Sequence, residues 1–115
     1  MSKPLTYTYK GTKGHIVSVA SNLPSDPHTL LKNGWIDLSD PQAAQAGHMK
    51  IREKDSGLIL GFDRGTPGAS GYKGVNHYHI FNPNATGNSD LYLDKYGNPT
   101  RKNSKASHIL PAGGK

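Results

Sequence analysis

The chain has 115 residues, room for one domain with one modest core, since a single core ordinarily takes on the order of 100–150 residues. Only 33% of the residues are hydrophobic, against 14 glycines and 8 prolines, so much of the chain lies in turns and loops and long helices are excluded. A net charge of +6 favours a polyanionic partner such as nucleic acid, an acidic protein or an anionic surface, and the lack of cysteine excludes disulfides and thiolate metal sites.

Residues 1–14 are polar, carry no continuous apolar stretch of the signal-peptide kind, and read as a flexible lead-in to a single domain over residues 15–115. No apolar run approaches the roughly 20 residues of a membrane span. His-Ile-Val-Ser-Val-Ala at residues 15–20 is rich in β-branched side chains and predicts a short strand or extended segment. Asp26-Pro27, then Leu30 and Leu31, then Asn33-Gly34 carry the cap, first-turn proline and terminal glycine of a short helix. Asp40-Pro41 to Gly47 repeats that punctuation, with Trp35 and Leu38 between the two as expected core anchors.

From residue 48 the texture changes. Met49, Ile51 and Glu53 alternate with Lys50, Arg52 and Lys54, then come the turn signal Asp55-Ser56-Gly57 and an apolar run over residues 58–62, which together predict a hairpin. Residues 64–74 hold four glycines after Arg64 and predict a mobile loop. Strands are expected over residues 75–82, 90–95 and 107–110, with Tyr96-Gly97-Asn98-Pro99 as a turn. Helices first and antiparallel strands afterwards is an α+β order: short helices packed on one face of a twisted sheet of about four or five strands, the other face left to bind.

Alternate side chains of a strand share a face, so His77 and His79 point one way while Asn76 and Tyr78 point the other and are expected to pack or orient. Two imidazoles on one face suit acid and base work near neutral pH, as in the attack of a ribose 2′-hydroxyl on its own phosphodiester, which needs no metal. Two alternatives stand beside this. One is a pair of hydrogen-bonded structural histidines. The other is a zinc site completed by His48 or His108, disfavoured by the scarcity of acidic partners for the ligands. Ser107 and His108, among Lys102, Ser104 and Lys105, supply a hydroxyl, an imidazole and cations to complete a phosphate-handling site. Arg64, Lys73, Lys102 and Lys105 are candidate phosphate contacts, and Tyr72, Tyr78, Tyr92 and Tyr96 are candidate base-stacking residues. His15, His28 and His48 read as structural or surface residues. The glycines match neither a Walker A loop nor a dinucleotide fingerprint, so ATP and NAD are not expected, and no cofactor or metal is assigned.

Several blocks in order carry a resemblance over roughly the last two thirds of the chain: Phe62-Asp63-Arg64-Gly65, Pro67-Gly68, Gly71-Tyr72-Lys73-Gly74, His77-Tyr78-His79, Asn82-Pro83-Asn84, Tyr92-Leu93-Asp94-Lys95, Gly97-Asn98-Pro99 and Ser107-His108-Ile109. They resemble the C-terminal toxin domains of contact-dependent inhibition and related polymorphic toxins of bacteria. The resemblance implies a metal-independent ribonuclease, often directed at tRNA, with helices followed by an antiparallel sheet as in barnase, EndoU, colicin and RelE nucleases. It implies a monomeric tip that is secreted on a larger toxin, delivered into the cytoplasm of a target bacterium and neutralised by an immunity protein acidic over the facing surface. Catalytic residues are carried over only for the histidine-bearing blocks, His77, His79, Ser107 and His108. With no glutamate near the His-X-His strand, a Glu/His mechanism is not expected, and the alternatives are a metal-dependent HNH-like DNase or a non-catalytic nucleic-acid-binding module.

Overall fold

A computed structural model describes residues 12–111. Residues 1–11 of the expected lead-in lie outside that range, and Thr12, Lys13 and Gly14 instead form the cap and first turn of helix α1 (Lys13–Ser21), the Thr12 hydroxyl accepting from the His15 amide at 3.1 Å. The strand expected over residues 15–20 is therefore a helix. Ile16, Ala20 and Leu23 are buried at positions i, i+4 and i+7 while Val17 is exposed, so burial at helical spacing overrides the β-branched preference of Ile16, Val17 and Val19.

Helices α2 (His28–Lys32) and α3 (Pro41–Gln45) fall where the cap signals place them. The Asp40 carboxylate accepts from the amides of Gln42 and Ala43, Pro41 occupies the first turn, and Gly47 closes the segment at φ +95°, a conformation that costs glycine little. Of the two expected anchors, Trp35 packs partly against the core, but Leu38 is 37% exposed. Leu38 sits just past β1 (Ile36–Asp37), where its amide bonds to the Lys50 carbonyl at the sheet edge and its side chain is left outside the core.

The sheet is an antiparallel meander of six strands in sequence order: β1, β2 (His48–Arg52), β3 (Ile59–Asp63), β4 (His77–Phe81), β5 (Tyr92–Leu93) and β6 (Pro99–Thr100). The α+β reading holds, with slightly more strands than expected because β1 and β6 are two residues long, too short to leave a periodic signal. The expected last strand is a single bridge, Ile109 to Tyr78, preceded by a 3-10 turn over Lys105–Ser107. One face of the sheet buries Ile51, Leu60, Phe62, Tyr78, Ile80 and Leu93 against Ile16, Ala20 and Leu23. No helix among the described residues is long and apolar enough to cross a membrane.

Tyr78 is wholly buried in this layer, edge-on to Phe62, and its hydroxyl donates to the Pro24 carbonyl at 2.7 Å. Its expected contact with substrate is thus corrected: it is a core residue that ties the sheet to the segment after α1. Tyr78→Phe should lower stability by about 1–2 kcal/mol in urea unfolding, the cost of leaving the Pro24 carbonyl unpaired in the interior; an unchanged midpoint would show that the bond contributes nothing.

Candidate active site

The face opposite the core carries the candidate site. In the β2–β3–β4 register His48 pairs with Asp63 and Asp63 with His77, so these three side chains form one row across three strands, with His79 one step further along β4. The His48 Nδ1 lies 2.6 Å from Asp63 Oδ1, and the Nε2 atoms of His77 and His79 each lie 3.3 Å from Asp63 Oδ2. His108 arrives from the C-terminal segment, where the two backbone bonds between Tyr78 and Ile109 dock the chain beside β4. Its ring centroid is 4.9 Å from that of His77 and 5.0 Å from that of His79.

The orientation of each imidazole is set by the backbone. The Nδ1 of His77 faces the Val75 carbonyl at 3.0 Å, that of His79 the Ser107 carbonyl at 2.8 Å, and that of His108 the Ser104 carbonyl at 2.7 Å. A carbonyl only accepts, so all three rings carry a proton on Nδ1, which leaves Nε2 as the working nitrogen. In His77 and His79 that nitrogen faces a carboxylate, which also only accepts, so the pair is arranged to donate. Among the described residues the His108 Nε2 faces no such acceptor and keeps a lone pair. Two aromatic rings brace the arrangement: Tyr72 stacks on His108 at 4.6 Å between centroids and Tyr92 on His79 at 4.5 Å.

The electrostatics follow the contacts. Hydrogen bonds from His77 and then His79 hold the Asp63 carboxyl far below its ordinary range, burial working against them. Burial alone would lower His77, but the bonds to Asp63 and to the Val75 carbonyl outweigh it and the net shift is upward. His108 is shifted downward, first by its burial and further by the neighbouring His79 and His77.

These residues line an open cleft of about 560 Å³ that also includes Arg64, Lys73 and Lys102. The structure thus brings together six of the expected site residues: His77, His79, His108, Arg64, Lys73 and Lys102. Lys105 is not among them; it lines a separate groove behind the Tyr72–His108 stack, with Tyr96 and Leu110. Ser107 is fully buried and its hydroxyl donates to the Ser104 carbonyl at 2.7 Å, so the expected catalytic hydroxyl is instead a brace beneath His79 and His108. Tyr72 and Tyr92 have their faces against imidazoles.

One member of the site was not anticipated: Asp63 is the acid that seemed to be missing. His48, read as a structural or surface residue or as a third zinc ligand, is its partner. The signal lay across the hairpin: with Phe62 facing inward, Asp63 faces outward, opposite the first histidine of the next strand. The glycine-rich loop is also tighter than expected. Thr66 N donates to the Lys73 carbonyl at 2.7 Å and Gly65 N to Asn76 Oδ1 at 2.7 Å, while a Cβ on Gly74 would stand 2.2 Å from the Ala69 carbonyl oxygen. The loop is folded on itself by these contacts, with Asn76 in the orienting role read for it, and so presents Arg64 and Lys73 to the cleft.

The three Nε2-directed histidines are also the residues that would hold a metal ion, one ring nitrogen from each lying within 4.8 Å of the others. An HNH-type site needs a helix after the histidine-bearing hairpin; here β4 is followed by a 3-10 turn, Asn88–Asp90, and by β5. Compared with protein-family models, with curated proteins and with solved structures, the chain gives no match in any of the three.

Proposed function

We propose that this chain is a ribonuclease that cleaves RNA by metal-independent transesterification. The observation that carries the reading is the Nε2 of His108, without a hydrogen-bond partner among the described residues, in one cleft with the paired His77 and His79 and with Arg64, Lys73 and Lys102. His108 takes the proton of the ribose 2′-hydroxyl, the freed oxygen attacks the adjacent phosphorus, and the His77–His79 pair returns a proton to the departing 5′-oxygen. Asp63 fixes the donors and balances their charge. The three cations hold the phosphate and offset the charge that builds on its oxygens in the transition state. A chain of net charge +6 suits a polyanionic substrate.

The setting as an antibacterial toxin, tRNA as the substrate and an acidic immunity protein as the inhibitor rest on the resemblance of the ordered sequence blocks, and the basic cleft is the surface such an inhibitor would cover. Incubation of purified protein with total tRNA in excess EDTA should give discrete fragments ending in 2′,3′-cyclic phosphate. Intact tRNA at high protein concentration would contradict the proposal, and retained affinity in that case would point to a binding module.

A further inference from the structure

Among the described residues, one group of three side chains, His77, His79 and His108, brings a ligating atom from each within 4.8 Å of the others. We propose that these three histidines form a binding site for one divalent transition-metal ion of the zinc class, and that its occupancy shuts off cleavage by the metal-free site. The second half rests on the ribonuclease reading; the first does not.

Imidazole ligands bind metal well when the non-ligating nitrogen donates to a fixed acceptor, which sets the tautomer and aims the other nitrogen. All three rings meet this condition through the Val75, Ser107 and Ser104 carbonyls. Metal–nitrogen bonds of about 2.0–2.1 Å in a tetrahedron place the ligand atoms roughly 3.4 Å apart, so the observed limit of 4.8 Å closes with small ring rotations about the Nδ1 anchors. His108 lies on a short docked segment rather than inside a strand, which makes it the ligand best able to move. Three protein ligands leave a fourth position open toward the cleft, and Asp63 contributes a negative charge beside two of the rings. An all-nitrogen donor set suits zinc, cobalt, nickel or copper; magnesium and calcium require oxygen ligands. A metal on the three Nε2 atoms takes up the His108 lone pair and the donor positions of His77 and His79, so the ion and the proton-transfer role exclude each other.

The test is titration of chelator-treated, dialysed protein with Zn²⁺ against a chromophoric competitor, with Co²⁺ as a spectroscopic probe. One equivalent should bind, Co²⁺ should give the visible spectrum of a four-coordinate nitrogen site, and His108→Ala should weaken binding by at least about 100-fold. His28→Ala, which removes an exposed histidine remote from the cluster, controls for adventitious imidazole binding, and circular dichroism confirms that each variant is folded. No stoichiometric binding, or binding as tight as that of the wild type in His79→Ala and His108→Ala, would overturn the site. In a parallel RNA cleavage assay one equivalent of Zn²⁺ should abolish activity and EDTA restore it. Zinc-dependent cleavage that EDTA abolishes would overturn the inhibitory role and the metal-free mechanism while leaving the site standing. Zinc binding without cleavage under any condition would overturn the ribonuclease reading and the inhibitory half that rests on it, again leaving the site.

Discussion

Asp63→Asn should lower RNA cleavage by about 10²–10⁴-fold with little change in RNA affinity. One oxygen of Asp63 is hydrogen-bonded to His48 and the other faces the Nε2 atoms of His77 and His79 at 3.3 Å, and no other acidic group contacts the His77–His79 pair among the described residues. An asparagine has a single acceptor oxygen, and its NH2 group would oppose a ring N–H, so the imidazoles must turn or lose the Nε2 proton. In catalytic triads the same exchange costs about 10⁴-fold by enforcing the wrong tautomer. Arg64, Lys73 and Lys102, the proposed phosphate contacts, are untouched, so the loss should fall on kcat and spare KM. The substitution should also alter acid stability. The folded carboxyl is depressed below its ordinary 3.8, so its contribution to stability is present above that value and lost as pH falls below it. In chelator-treated protein the wild type should lose more stability than Asp63→Asn between pH 4 and pH 2; equal losses would show that the carboxylate contributes nothing to the fold.

His108→Ala should produce a comparable fall, about 10²–10⁴-fold, the range associated with a positioned proton acceptor. His108 is half-buried and its backbone neighbour Ile109 is held independently by two bonds to Tyr78, so the variant should keep its fold. His77→Ala is a less clean test because His77 is buried and its removal leaves a cavity beside Asp63 as well as an absent donor. Reading kcat/KM and thermal unfolding together separates the two: His108→Ala should lose activity at nearly constant stability. Retention of full cleavage would remove His108 from the mechanism.

The contrast between these residues shows what the sequence carried. The caps at Asp40-Pro41 and Asp26-Pro27, the turn at Asp55-Ser56-Gly57 and the two faces of β4 are local features, and they appear where the chain pattern places them. Helix α1 was misread because its β-branched residues favour a strand on their own, and only packing on the sheet reveals which periodicity wins. The pairing of Asp63 with His48 and His77 is not legible locally because it is set across strands. Asp63 is fourteen residues before His77 in the chain and directly opposite it in the sheet, a relation fixed by register and by the folded glycine loop between them. Ser107 and His108 were correctly drawn toward β4, but adjacency alone does not say which of two neighbours faces inward; the 3-10 turn buries the hydroxyl and turns the imidazole to the cleft.

In the proposed reaction imidazoles, acting without a metal, move a ribose hydroxyl proton. The most direct measurement uses two oligonucleotides that differ only in carrying a 2′-hydroxyl or a 2′-hydrogen at the cleavage position, both assayed in excess EDTA. The ribose version should be cut to a 2′,3′-cyclic phosphate and the deoxy version should bind with similar affinity and stay intact. Equal cutting of both, or cutting of neither until metal is restored, would contradict the account.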